Sequence, residues 1–148
     1  MEQTEAWVIG LTVKTASDGC RFMRMLQAES MRSNEVYRYF DRFVEMLSNE
    51  NSYVRSRALI LIAANARWDS ENRLGSIFRQ YLSHILDSKP ITARQCVKCL
   101  PEIAACKPEL RQCIREALQS ADLSGYADSM RPLIARDISE ALRSIGGE

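Results

Sequence analysis

The chain has 148 residues, of which 46% are apolar and 26% charged, and its formal net charge is +1. That length fits one domain able to bury a core without disulfides or metals, and near-neutrality excludes a strong bulk attraction for polyanions. No apolar run reaches the roughly 20 residues of a membrane-crossing helix. Residues 1–4 lack the basic start and cleavage site of a secretory leader, and five cysteines without regular spacing suit a reducing compartment, so a cytoplasmic location is expected.

In chain order, residues 2–30 read as two irregular helical segments separated at Ser17-Asp18-Gly19. Residues 8–13 have some strand character, but the run is short and flanked by Glu5 and Lys14, which favours helix. Val36, Phe40, Phe43, Val44 and Leu47 recur at i, i+4, i+7, i+8 and i+11, one apolar stripe on a helix over residues 35–47. Asn51, a strong N-cap type, opens the next helix near Ser52. Residues 58–66 read ALILIAANA and are polar only at Asn65, so this helix needs cover on several sides and belongs at the centre. A second stripe, Leu74, Ile77, Phe78, Tyr81, Leu82 and Ile85, predicts a helix over 74–86. Pro90 suits a first helical turn, Pro101 falls inside a helical stretch that it should kink, and Pro108 opens another helix. There Leu110, Cys113, Ile114, Ala117 and Leu118 form the third stripe, over 110–119. Ser129 is the expected N-cap of the last helix, with Pro132 in its first turn.

The spacing repeats. Shifting Val54 by 37 brings Ile91 beneath it, Arg94 beneath Arg57, Cys96 beneath Leu59 and Cys99 beneath Ile62. A further shift of 42 brings Pro132 under Pro90, Leu133 under Ile91 and Arg136 under Arg94. Each copy follows one of the striped helices, giving three helix pairs over residues 35–145 at a period of about 40, with residues 1–34 as N-terminal capping helices. One pair cannot cover its own apolar face, whereas three stacked pairs can.

Asn51-Ser52-Tyr53-Val54-Arg55-Ser56-Arg57-Ala58-Leu59 resembles the opening of a B helix in the HEAT-repeat family, an Asp or Asn followed by Val-Arg and an Ala-Leu pair. Arg57, Arg94 and Arg136 sit where that family has its ladder arginine. The Asp that usually holds this arginine is replaced by Asn51 and Ser88, with Asp87 and Asp128 nearby. The run from Asn51 through Arg67-Trp68-Asp69, residues 89–96 and residues 128–134 are similar to a group of small bacterial HEAT-like proteins of unassigned function. The resemblance implies an all-α, short right-handed α-solenoid of stacked antiparallel helical hairpins, with about seven or eight helices. It also implies that B helices line a concave face.

The chemistry-bearing residues are few. Cys96-Val97-Lys98-Cys99, Cys106 and Cys113 match no zinc spacing, and no strand precedes the CxxC as a redox motif requires. Cys96 and Cys99 align with core positions, and Cys113 lies beside Ile114 on an apolar stripe, so packing explains them. His84, the one histidine, ends a helix where an imidazolium complements the dipole. Trp68-Asp69 resembles the aromatic-plus-Asp arrangement of the HEAT-like alkylpurine DNA glycosylases. Those proteins are larger, and a corner-packing Trp68 with a capping Asp69 or Ser70 accounts for the same residues. No cofactor, metal or catalytic residue is expected.

Charge is uneven. Residues 1–50 hold 6 basic against 8 acidic residues, residues 51–115 hold 11 against 5, and residues 116–148 hold 3 against 6. The expected binding residues on the concave face are Arg55, Arg57, Arg94, Lys98 and Arg136, with Arg57, Arg94 and Arg136 also suited to ordering the stack. The expected function is a non-catalytic protein-binding scaffold. A nucleic-acid-binding protein using the basic middle is the alternative, and no membrane partner is expected.

Overall fold

Helix-forming stripes and well-placed caps divide the chain, in a computed structural model describing residues 2–13 and 15–146, into eight α-helices with no strand among the described residues. Met1, on which the leader reading partly rests, lies outside them. The helices are α1 (Gln3–Val13), α2 (Ala16–Arg32), α3 (Phe40–Met46), α4 (Ser52–Ala64), α5 (Arg73–Leu82), α6 (Pro90–Cys106), α7 (Arg111–Gln119) and α8 (Arg131–Ile145). The stripe at 35–47 is met by a 3-10 turn, Val36–Tyr39, running into α3, and the one at 74–86 by α5 running into the 3-10 turn Ser83–Leu86. Among the described residues no helix is long and apolar enough to cross a membrane.

Asn51 caps α4 through Oδ1, which accepts from the Tyr53 amide at 2.8 Å. Pro90 opens α6, where its missing N–H is no loss. Pro101 lies within α6, which continues through it to Cys106. The turn before α5 ends at Asn72, whose φ of 55° is left-handed, a conformation Asn tolerates.

Two boundaries and one buried position differ from expectation. Ser17-Asp18-Gly19 is not a separator but the first turn of α2, because Thr15 caps the helix earlier by accepting from the Asp18 amide at 3.2 Å. The last helix starts at Arg131 behind Met130, not behind Ser129, and Pro132 is in its first turn. Cys113 is exposed rather than on the covered stripe of α7, which buries Ile114 and Leu118.

Hydrogen bonds fix how the even-numbered helices lie together. Ser30 near the end of α2 receives Asn65 Nδ2 at 3.1 Å, while Arg57 of α4 reaches back to the carbonyl of Ala16 at 3.0 Å. At one end of α4 and α6, Thr92 Oγ1 meets Ser56 Oγ at 2.9 Å. Beyond the other end of α4, Arg67 reaches Glu102 of α6 at 3.0 Å. Helices α2, α4 and α6 therefore run parallel, side by side, and α8 packs on α6 through Arg94 and Asp137. Helix α3 packs on α4, and the turn after α5 and helix α7 pack on α6.

Several side-chain hydrogen bonds between separate elements share similar sequence separations. Trp68 to Ser30 spans 38 residues, Ser56 to Thr92 36, Arg67 to Glu102 35, Arg94 to Asp137 43 and Tyr126 to Asp87 39.

The core sits under α4. Leu59, Leu61 and Ile62 are fully buried with Phe40 and Phe43 of α3, Tyr81 of α5, and Leu100 and Ile103 of α6. Each such side chain contributes about 1.5–3 kcal/mol by leaving water. The Tyr81 hydroxyl donates to the Leu59 carbonyl at 2.8 Å, so its polar end is satisfied where it is buried. Cys96 and Cys99 belong to this same core.

Candidate protein-binding face

The five candidate cations fall into two groups. Arg55 donates from Nε and Nη2 to both oxygens of Asp87, at 3.0 and 2.7 Å, and from Nη1 to the carbonyls of Asn49 and Glu50. This forked, largely buried pair is the geometry in which Arg outperforms Lys. Arg94 makes the equivalent fork to Asp137 at 2.6 and 3.3 Å. Arg57 is only 6% exposed and donates to the carbonyls of Leu11 and Ala16 at 2.8 and 3.0 Å. Burial pushes its pKa below the ordinary arginine value. Lys98 is exposed, and Arg136 keeps 75% of its side chain in solvent with Glu140 3.7 Å away. Only these last two have side chains largely free for a partner.

Forked pairs to an Asp are thus made by Arg55 and Arg94, whereas Arg57 holds backbone carbonyls and Arg136 faces solvent. The signal for Arg55 was Asp87, the first residue after the 3-10 turn leading to α6.

The basic surplus of residues 51–115 is largely internal. Among the described residues, seven of its 11 cations are held by acceptors on the same chain. Besides Arg55, Arg57 and Arg94, Arg67 holds Glu102 and Arg73 holds Glu71, while Lys107 holds Asp69 and Arg115 holds the Gly146 carbonyl. A stretch that is basic in sequence is not a basic patch in space.

Asp69 has no free lone pair to act as a base. Its Oδ1 accepts from the Tyr37 hydroxyl at 2.5 Å and the Arg73 amide at 2.8 Å. Its Oδ2 accepts from the Leu74 amide at 2.9 Å and faces Lys107 Nζ at 3.3 Å. Burial alone would raise its pKa, but these bonds outweigh it and hold the carboxyl below its usual range. Trp68 Nε1 donates to the Ser30 carbonyl at 2.7 Å, closing the corner between α2 and α4. His84 Nδ1 lies 2.7 Å from Asp87 Oδ2. Burial pushes the Cys96 thiol far up and the Cys99 thiol to about 11, so neither is a thiolate near neutrality. Among the described residues no group of three or more His, Cys, Asp or Glu could hold a metal ion.

The feature the sequence reading missed is apolar. Tyr53, Ile91 and Leu133 are 61%, 66% and 36% exposed in the first turns of α4, α6 and α8. The 37-residue alignment placed Ile91 and Leu133 under Val54, which is buried. Counting instead from each helix start puts Tyr53 and Ile91 both second in their helices.

Two cavities adjoin each other beside Tyr53. One, of ≈ 280 Å³, lies between the first turns of α4 and α6 and is lined by Tyr53, Lys89, Pro90 and Ile91 among others. The other, of ≈ 260 Å³, lies between α2 and α4 and is lined by Cys20, Met23, Tyr53, Arg57 and Ile60 among others. Tyr53 and Ser56 border both, and no carboxylate lines either. No protein-family model, curated protein or solved structure matches this chain.

Proposed function

We propose that this chain is a short stack of helical hairpins of the HEAT kind whose even-numbered helices present a face that docks another protein, with no reaction of its own. The observation that carries the reading is the set Tyr53, Ile91 and Leu133 left in solvent at the starts of the alternate helices α4, α6 and α8. Large apolar side chains left in water are a liability unless something covers them. Aromatic and aliphatic anchors of this kind dominate the energetics of protein interfaces. Two further facts support the stacked arrangement. Several inter-element hydrogen bonds sit near one repeat length, and α4, like α6, touches the even-numbered helix on either side.

The nucleic-acid reading has less beneath it, since most of the middle cations already hold internal acceptors.

The test is in vivo cross-linking followed by capture of the tagged chain. Ile91→Asp and Leu133→Asp, both at exposed positions, should keep the thermal midpoint and lose the cross-linked protein. Retention of the same partner by the double variant would sink the reading. A salt-dependent shift of duplex DNA abolished by Lys98→Ala with Arg136→Ala would replace it.

A further inference from the structure

The two adjoining cavities have a chemical bias that the exposed side chains alone do not. Their lining is apolar, yet it includes a cation at each side, Arg57 between α2 and α4 and Lys89 at the start of α6. No Asp or Glu lines either cavity. Lys107, the other buried cation, meets a carboxylate, as do the partly buried Arg55 and Arg94. Arg57 alone is 6% exposed and has, among the described residues, no carboxylate within ion-pair distance.

Its setting explains how it survives there. The guanidinium lies flat against Gly19, where an added Cβ would come within 2.4 Å of Cζ. It donates to two carbonyls, one of them the Leu11 carbonyl in the last turn of α1, where the helix dipole favours a cation. Carbonyls solvate the charge without neutralising it. A guanidinium has five N–H donors and these two bonds use two of them. A charge taken out of water stabilises an incoming ion of opposite sign more than an exposed one does.

We infer that this groove receives an extended segment of a partner protein with acidic residues flanking apolar ones, its carboxylates meeting Arg57 and Lys89 and its apolar side chains covering Tyr53 and Ile91. The inference rests on the protein-docking reading and names the chemistry of the partner. Alternating carboxylates and apolar groups match the cation–apolar–cation order of the groove. A basic segment would meet Arg57 with like charge in a poorly hydrated place, which is strongly unfavourable.

The experiment uses the full chain as bait for a phage-displayed library of random dodecapeptides. Recovered sequences should combine Asp or Glu with aliphatic or aromatic residues. A synthetic peptide of the consensus should lose at least about tenfold in affinity when its acids become amides.

Two variants locate the site. Tyr53→Asp should weaken the peptide by a similar factor without moving the thermal midpoint. Cys20→Asp, on a residue within electrostatic reach of Arg57, should raise the thermal midpoint by supplying the missing counter-ion, while abolishing peptide binding. This second variant avoids truncating Arg57, whose removal would also release α1 and α2.

Recovery of basic or uncharged peptides, or of acidic peptides indifferent to both variants, would overturn the inference. So would a Cys20→Asp protein that is less stable, or failure to recover any peptide. If cross-linking still captures a partner through Ile91 and Leu133 in those cases, the docking reading stands and only the acidic-segment inference falls.

Discussion

Asp69 and Asp87 are buried carboxylates whose two oxygens each have two partners. Asp87 accepts from Arg55 and the Lys89 amide on Oδ1, and meets Arg55 and His84 on Oδ2. In both, burial alone would raise the pKa, but the hydrogen bonds win and lower it. A carboxylate with a depressed folded pKa stabilises above its unfolded value, near pH 4, and that stability is lost as pH falls through the folded value. Denaturant titrations between pH 6 and pH 3 should therefore show stability falling below about pH 4. Asp69→Asn should cost about 3 kcal/mol at neutral pH, because it leaves Lys107 buried without its ion partner. It should also flatten the acid limb, and an unchanged limb would show that Asp69 is not ionised in the fold. The pairing was only half legible in sequence. Asp69 could be read as a cap because it precedes a helix. Its bonds to Tyr37 and Lys107 could not, because both come from residues over 30 positions away. The pairing of Arg55 with Asp87 was missed for the same reason, and Arg57, expected on the ladder, has backbone carbonyls as partners, which carry no side-chain signal.

At the scale of the element, local chemistry was readable wherever a cap or a proline acted alone. Asn51 opened α4 and Pro90 opened α6 where expected. The break before α2 was misplaced because Ser, Asp and Gly suggest a turn, whereas here Asp18 lends its amide to the Thr15 cap and Gly19 makes room for Arg57. The exposed set was missed because periodicity distinguishes covered from uncovered faces only when a helix has one of each. The first turn of α6 has Ile91 outside and Thr92 and Ala93 inside. Pro101 gives a prediction of opposite sign to most. An interior proline deletes the bond to the carbonyl four residues earlier and crowds it, at about 3 kcal/mol, offset by about 1 kcal/mol from a stiffer unfolded chain. Pro101→Ala should raise stability by about 1–2 kcal/mol in urea unfolding. A loss would mean that its ring is needed where it borders the gaps between α6 and α8.

For the molecule as a whole, burial is concentrated in the middle. Helix α4 buries eight residues and α6 another eight, whereas α8 buries only Ile134, Asp137 and Ala141. Native-state hydrogen exchange should accordingly find the slowest amides in α4 and α6 and faster ones in α8. Equal protection along the chain would mean that the helices open as one unit. Ile62→Asp should abolish the folded state, since it places an unpaired charge at a fully buried position. A second consequence follows from the narrow span of the tertiary hydrogen bonds, none of which, among the described residues, joins positions more than 46 apart. The chain closes no large loop on its way to the native state, so little entropy stands in front of each new contact. Folding should be fast, start where α4 meets α6, and spread outward in both directions like a zipper, leaving each end free to adjust to whatever it touches without disturbing the other.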